Sequence, residues 1–214
     1  FLNFCNLFWT RFIIWYNVKK CFLINGYKTC RVRELLYQFS SYHLELRGST
    51  MLTLSHVIED TYNVEVDYYT PLTIECSSFP SYIRKAYFRL VDDNSLLEIG
   101  INPDSFRLMN IILVQVSNVT LMGDMSLEEV EEIEGIPVFR DTIMFTNGLH
   151  DRKQSFDVFL SKDFLKIQLF NPKETMYLTN GRVKLGFSQD GTLVSILLVE
   201  LTCHEYEILK NSFE

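Results

Sequence analysis

The sequence predicts an α+β fold in which a mostly antiparallel β-sheet carries two short helices. Three observations support this class. Apolar and polar residues alternate over short runs, turn residues recur between these runs, and two segments carry the residues that start and end helices. The prediction concerns residues 51–214, because the fifty residues before Met51 differ in composition.

The clearest element is a hairpin near the C-terminus. Residues 182–187 alternate between polar and apolar side chains, which predicts a strand with one buried face. Residues 193–201 are almost entirely apolar and predict a strand covered on both faces. Between them stands Asp190-Gly191, a pair typical of a tight turn because glycine accepts a positive φ.

A second hairpin is predicted at residues 97–116, with the same order of alternating strand, aspartate-containing turn and apolar strand. The matching positions are Gly100 with Gly186, Asp104 with Asp190, Leu108 with Leu193, Leu113 with Leu198 and Val114 with Val199. A spacing of about 85 residues is typical of two related halves of one domain. The alternative is two independent hairpins that use common turn chemistry.

The remaining predicted strands are short and separated by turn residues, as in an antiparallel meander. They cover residues 62–69, 72–76, 85–91, 156–160, 164–170 and 175–178. Residues 84–90 could instead form a short helix, because periodicity does not separate the two structures over so short a run.

A short acidic helix is predicted near residues 127–134. Ser126 and Glu129 have the spacing of a capping box, in which both side chains bond to free amides at the helix start. Gly135 and Pro137 would end the helix. Apolar residues recur every three positions, at Leu127, Val130 and Ile133.

A second helix is predicted near residues 203–212, at the end of the chain. Thr202 and Glu205 form a second capping box. Ile208, Leu209 and Phe213 would pack this helix against the sheet.

The first fifty residues differ from the rest of the chain. They contain both tryptophans and three of the five cysteines, but no aspartate and no proline. They are rich in residues with A/T-rich codons, and Arg47-Gly48 can be encoded by a purine-rich ribosome-binding sequence shortly before Met51. We interpret residues 1–50 as the translated upstream leader of a low-GC bacterial gene, preceding a single β-rich domain at 51–214.

Two other interpretations of residues 1–50 remain open, a genuine N-terminal extension and a membrane anchor. Residues 2–16 are largely apolar, but Arg11 interrupts them and Lys19 and Lys20 follow them, whereas a secretory signal begins with its positive charges. A spanning helix needs about 20 predominantly apolar residues. We therefore expect no membrane association.

From Met51 onward the chain has 164 residues and a strongly negative charge. Residues 1–50 carry a net charge of +5, which leaves −12 for the remainder of a chain whose total is −7. This charge disfavours nucleic acid and permits a basic protein as a partner. Cys76 and Cys203, without a signal peptide, indicate buried thiols in the cytoplasm.

No residue pattern predicts a catalytic, cofactor or metal site. The domain has no paired histidines, no Cys-x-x-Cys and no glycine-rich phosphate loop. Cys203 and His204 are adjacent, but consecutive helical side chains point about 100 degrees apart, so we interpret them as a buried thiol beside an exposed imidazole. Asp104 and the aspartates of residues 92–94 are interpreted as turn residues, because no complete calcium loop follows.

The acidic run near residue 130 is the one feature with a functional interpretation. On the predicted helix its carboxylates would cover the face opposite the apolar residues. They are Glu128, Glu129, Glu131, Glu132 and Glu134. Such a run is commonly a solvated face that favours the helix start. The alternative is a docking surface for a basic protein.

Two classes of function are compatible with the sequence. The first is a non-catalytic binding or inhibitory module, which resembles toxin-immunity proteins in general character although no motif identifies such a family. The second is an enzyme or small-ligand-binding protein whose site is assembled from scattered strand residues. Its first candidate positions are Glu75, Arg89, Glu98 and Asp157. We favour the first class because no catalytic pattern is visible.

Overall fold

The structure is a computed structural model and describes residues 51–78, 83–123 and 130–213. The elements in these ranges are β1 (Leu54–Ile58), β2 (Tyr62–Glu65), β3 (Leu72–Cys76), β4 (Ala86–Asp92), β5 (Ser95–Ile101), β6 (Leu108–Gln115), β7 (Val119–Leu121), β8 (Glu131–Glu134), β9 (Ile136–Phe139), β10 (Leu149–Lys153), β11 (Asp157–Leu160), β12 (Phe164–Gln168), β13 (Met176–Asn180), β14 (Val183–Phe187), β15 (Leu193–Val199) and α1 (Cys203–Ser212). The leader interpretation and the proposed capping residues Ser126 and Glu129 fall outside the described ranges.

The strands form two large sheets and one small one. The six-stranded sheet has the order β10-β4-β5-β6-β3-β2, the seven-stranded sheet has the order β7-β11-β12-β15-β14-β13-β8, and β1 pairs with β9. Three pairs are parallel, β10 with β4, β7 with β11 and β8 with β13, and the others are antiparallel. The predicted α+β class with a mostly antiparallel sheet is confirmed. Within the described ranges, no helix has the length and apolar character needed to cross a membrane.

The two large sheets pack against each other through apolar faces. In β4 every second residue is buried, from Ala86 through Phe88 to Leu90, and β14 buries Val183 and Leu185 in the same way. These faces contribute to one hydrophobic cluster that contains residues of both sheets. β15 is buried along almost its whole length, as predicted for a strand covered on both faces.

The two predicted hairpins are confirmed and belong to related halves of the domain. β5 pairs with β6 and β14 with β15, and in each pair the register shifts directly after the matching glycine, Gly100 or Gly186. The neighbouring strands also pair in the same order, β2-β3-β6-β5-β4 in one half and β11-β12-β15-β14-β13 in the other. This agreement favours related halves over independent hairpins.

One cross-strand contact repeats in both halves. It joins a tyrosine, a glycine and a buried polar residue on three adjacent strands. The two sets are Tyr87, Gly100, Asn110 and Tyr177, Gly186, Ser195. A Cβ atom would lie 3.3 Å from the tyrosine ring at the first glycine and 3.0 Å from it at the second. Glycine therefore lets the ring lie close to the neighbouring strand.

The segment that connects the halves supplies edge strands to both sheets. β8 follows the first half in the chain but pairs in parallel with β13 of the second half. β10 precedes the second half but pairs in parallel with β4 of the first. Each large sheet thus contains a strand from the connecting segment, which holds the two halves together.

The predicted acidic helix is wrong over residues 131–134, which form β8. Its residues pair in parallel with β13, from Glu131 opposite Met176 to Glu134 opposite Thr179. Spacing by three at Val130 and Ile133 suggested a helix, but four residues fit either periodicity. Backbone pairing with β13, about 45 residues later in the chain, stabilises this segment as a strand. The expected stop at Pro137 is also wrong, since Pro137 lies in β9 opposite Val57.

Other differences concern short strands. The sequence did not predict β1, β7, β9 or β10, which have between three and five residues. All of them lie in the two-stranded sheet or at an edge of a large sheet, where hydrophobic alternation is weak. The alternative helix at residues 84–90 is not formed, because this region belongs to β4.

The C-terminal helix is confirmed as α1. Thr202 is its N-cap, and its hydroxyl accepts a hydrogen bond from the amide of Glu205 at 3.2 Å, while the Glu205 carboxylate accepts one from the amide of Thr202 at 2.8 Å. Leu209 is fully buried, and Phe213 packs against the core. Arg182 also binds Glu205 through two nitrogens at 2.9 and 3.0 Å.

This ion pair predicts a pH dependence of stability. The Arg182 guanidinium and the Thr202 cap lower the pKa of Glu205 from 4.5 to about 2. Because the folded-state pKa is below the unfolded one, the stabilisation is present above about pH 4.5 and is lost as the pH falls toward 2.

We expect Glu205→Gln to lower the free energy of unfolding by about 1 to 2 kcal/mol near neutral pH, since the pair is partly solvated. The difference from the unmodified protein should shrink as the pH approaches 2. Urea denaturation at a series of pH values measures it. A difference that stays constant with pH would show that ionisation of Glu205 does not contribute.

Candidate functional site

The candidate acidic residues lie on an edge strand. β8 is the last strand of the seven-stranded sheet, and all four of its residues are exposed. Glu131 and Ile133 point to one face of the sheet, whereas Glu132 and Glu134 point to the other. The structure therefore brings three of the predicted carboxylates to one edge. Glu128 and Glu129 fall outside the described residues.

One of these carboxylates is paired within the domain. The Lys184 ammonium on β14 contacts the Glu132 carboxylate at 2.5 Å, and their side chains are 23% and 46% exposed. So exposed a pair contributes about 1 kcal/mol or less to stability. Its main effect is to hold Glu132 against the sheet, while Glu131 and Glu134 flank it on the strand.

A fourth carboxylate extends this edge. Glu59 is exposed and follows Ile58, the last residue of β1. Ile58 pairs with Ile136, and its carbonyl oxygen would lie 2.8 Å from a Cβ atom on Gly135. This approach places the backbone before Glu59 beside Gly135, the residue that follows Glu134, although the two segments are far apart in sequence. We name Glu59, Glu131, Glu132 and Glu134 the acidic edge.

Three of the four positions named for a scattered site share the outer face of the six-stranded sheet. Arg89 on β4 lies opposite Glu98 on β5, at 3.7 Å between charged atoms. Arg89 also donates two hydrogen bonds to Asp151 on β10, at 2.7 and 2.8 Å, which lower the pKa of that carboxyl group. Glu75 pairs with Lys85 at 3.4 Å. These groups neutralise one another and form surface ion pairs.

Asp157, the fourth position, lies elsewhere and lines a cleft of about 330 Å³. The cleft runs between the connection from β10 to β11 and the residues that follow β12. It is lined in part by Phe156 and Phe170 and by Gln154 and Gln168, whose side-chain amides donate hydrogen bonds to backbone carbonyls of the domain. Its volume is at the lower end of the range for small-molecule sites.

Cys76 and Cys203 differ in burial, and the predicted burial of Cys203 is wrong. Cys76 is buried, and burial raises the pKa of its thiol to about 12, so it stays protonated and unreactive at neutral pH. Cys203 was expected to be buried but is exposed, as is its neighbour His204. The reason is that α1 presents its first turn to solvent and packs through Leu209 in a later turn.

Of the aspartates interpreted as turn residues, Asp93 and Asp104 lie in turns and Asp92 ends β4 beside the first turn. The Asp92 carboxylate accepts a hydrogen bond from the amide of Asp93 at 2.8 Å. Near Asp104, the side-chain oxygen of Asn102 accepts one from the amide of Asp104 at 2.9 Å. Across residues 51–78, 83–123 and 130–213, no group of three or more His, Cys, Asp or Glu side chains is arranged to hold a metal ion.

Comparison with protein-family models and with curated proteins gives no match to this chain.

Proposed function

We propose that this protein is a non-catalytic binding or inhibitory module that acts in the bacterial cytoplasm on a basic protein partner, in the manner of an immunity protein. The acidic edge is the observation that carries the proposal. It comprises three carboxylates of the edge strand β8 and Glu59, which follows a backbone segment beside the end of β8, on a domain whose net charge is −12 from Met51 onward.

The chemistry of this edge supports a basic partner. Complementary charge accelerates the encounter of two proteins and disfavours partners of the same sign. A charged edge strand also resists pairing with the edge strands of other copies of the same protein. The acidic edge would therefore select lysine-rich or arginine-rich surfaces.

Charge reversal tests this proposal. We expect Glu131→Lys with Glu134→Lys to weaken binding of a basic partner about tenfold or more at low salt, and less at high salt because exposed charges are screened. The probe is the purified basic C-terminal domain of a large secreted protein encoded beside this gene. Titration calorimetry at two salt concentrations gives the dissociation constants.

The matched control is Glu207→Lys, which reverses an exposed charge on α1 outside the acidic edge. It should leave the affinity nearly unchanged. If reversal at Glu131 and Glu134 has no larger effect than this control at low salt, the acidic edge does not dock the partner.

A small-ligand or enzymatic role is the second candidate, and the cleft beside Asp157 is the observation that favours it. Genomic context separates the two. An adjacent gene for a secreted protein with a basic C-terminal domain favours the inhibitory module, whereas a metabolic operon favours a ligand in the cleft.

A further inference from the structure

Two tyrosines are exposed at the turn between β2 and β3. Tyr68 is 54% exposed and Tyr69 is 86% exposed. A tyrosine ring is a large apolar surface, and exposing two of them side by side forgoes the stabilisation that burial would provide. Tyrosine is also among the residues enriched at the centres of protein interfaces.

The turn holds these tyrosines in a defined arrangement. Their rings contact each other edge to face, with centroids 5.3 Å apart and an interplanar angle of 88°. The Asp67 carboxylate accepts a hydrogen bond from the amide of Tyr69 at 2.8 Å. An ordered aromatic pair loses little conformational entropy when a partner covers it.

Strand register places another acidic turn at the same end of the six-stranded sheet. Leu72, which starts β3, pairs with Leu113 near the end of β6, and Gln115 pairs with Leu96 near the start of β5. Asp92 then pairs with Ser95 across the turn from β4 to β5. Since adjacent strands are about 4.8 Å apart, the two turns are separated by about 15 Å.

The charge at this end is negative. Asp67, Asp92 and Asp93 are exposed, and the turns at residues 66–71 and 92–94 contain no basic residue. Lys153, at the end of β10 opposite Val91, is the nearest basic residue in the strand register. Asp67 thus lies beside the exposed rings, and Asp92 and Asp93 outnumber the one neighbouring cation, Lys153, at the second turn.

We propose that this end of the sheet, formed by Asp67, Tyr68, Tyr69, Asp92 and Asp93 and named the tyrosine tip, is the anchor surface for the basic protein partner. The inference rests on the proposed function and adds a second contact surface to the acidic edge. The tyrosines pack into the partner while the carboxylates face its cations. A separation of about 15 Å fits within one standard interface of about 800 Å² per partner.

Charge also favours a basic protein over other partners of the tyrosine tip. A second copy of the chain would bring like charges together, and a nucleic acid would bring phosphates against three carboxylates. Both are disfavoured relative to a protein rich in lysine or arginine. Self-association and nucleic-acid binding are therefore outcomes that contradict the proposal.

Photo-crosslinking in native cells provides the first test. The full chain carries p-benzoylphenylalanine in place of Tyr69. The control carries it in place of Met144, which is 83% exposed and comes shortly before β10, at the opposite end of the six-stranded sheet. We expect an adduct with a basic protein at position 69 and not at position 144. No adduct specific to position 69, or an adduct with nucleic acid, an acidic protein or a second copy of the chain, would overturn the proposal.

The second test uses the partner protein that cross-linking identifies. This partner is purified on its own and titrated against the full chain. Tyr68→Ala with Tyr69→Ala should weaken binding tenfold or more at both low and high salt, because aromatic contacts are not screened. Met144→Ala should have no effect, and circular dichroism should confirm that all variants are folded.

The outcomes for the two surfaces are separable. A loss in the tyrosine variant supports the tip, whereas unchanged affinity in that variant overturns it. A loss confined to the Glu131 and Glu134 reversal would leave the acidic edge as the docking surface without the tip. The reverse result would keep the tip and exclude the acidic edge.

Discussion

Alanine at position 135 is expected to destabilise the protein by about 2 to 4 kcal/mol. Gly135 has a φ of +139°, which side chains with a Cβ rarely adopt. A Cβ atom there would lie 2.4 Å from a methyl carbon of Val57 and 2.8 Å from the carbonyl oxygen of Ile58. The backbone contact cannot be relieved by a change of rotamer, so β1 and β9 would have to separate.

Urea denaturation of Gly135→Ala measures this loss. Gly123→Ala is the matched control, because within the described ranges no atom beyond its chain neighbours lies within 4 Å of its added Cβ and its φ is not positive. We expect the control to change the free energy of unfolding by about 0.5 kcal/mol or less. Equal losses in the two variants would contradict the role assigned to the close approach at Gly135. Since Gly135 directly follows β8, the variant should also disturb the acidic edge.

Replacing Asp60 with alanine is expected to cost about 3 kcal/mol or more. The Asp60 carboxylate binds the Arg107 guanidinium and accepts a hydrogen bond from the Ser78 hydroxyl at 2.6 Å. Its side chain is only 9% exposed and that of Arg107 is 20% exposed. The substitution would remove the carboxylate partner of a partly buried guanidinium, and its hydrogen bond to the Ser78 hydroxyl at 2.8 Å would not replace the lost charge.

Asp151→Ala is the matched control for this prediction. It also removes a carboxylate partner of an arginine, Arg89, but the Asp151 side chain is 51% exposed and Arg89 keeps Glu98 at 3.7 Å. Water can replace the lost partner, so we expect a loss of about 1 kcal/mol or less. Thermal or urea denaturation of both variants provides the comparison. A loss at Asp151 equal to that at Asp60 would show that burial does not determine the effect.

Asp60 also lies where the two sheets meet. Its backbone carbonyl accepts a hydrogen bond from the side chain of Asn180 at 2.6 Å, and the Asn180 oxygen accepts one from the amide of Tyr62 at 3.1 Å. Asn180 ends β13 of the seven-stranded sheet, and Tyr62 starts β2 of the six-stranded sheet. These polar contacts set the position of the β2 edge relative to β13 and β8.

Features that depend on neighbouring residues could be predicted from the sequence. The hairpin turn at Gly191 follows from its need for a positive φ, and the structure gives 78° there. The helix start at Thr202 follows from a capping box of side chains three residues apart. The related halves were visible because matching glycines occupy matching positions in two hairpins.

The candidate site was predictable only in part. The run of glutamates indicated an acidic surface, but local periodicity assigned it to a helix. The approach of the segment before Glu59 to Gly135 could not be predicted, because it depends on the pairing of β1 with β9. The sequence predicted Tyr68 and Tyr69 at the end of a strand. In the structure they lie in the turn between β2 and β3, where both are exposed.

Local chemistry in this chain accounts for its hairpins, its capped helix and its repeated halves, because each needs interactions within a few residues. Tertiary packing decides the identity of β8, the exchange of edge strands between the halves and the grouping of surface carboxylates. Those features depend on backbone pairing between distant segments, such as β8 with β13 and β10 with β4. The hydrogen bonds and buried surface of such pairs exceed the weak local preference of a four-residue acidic run.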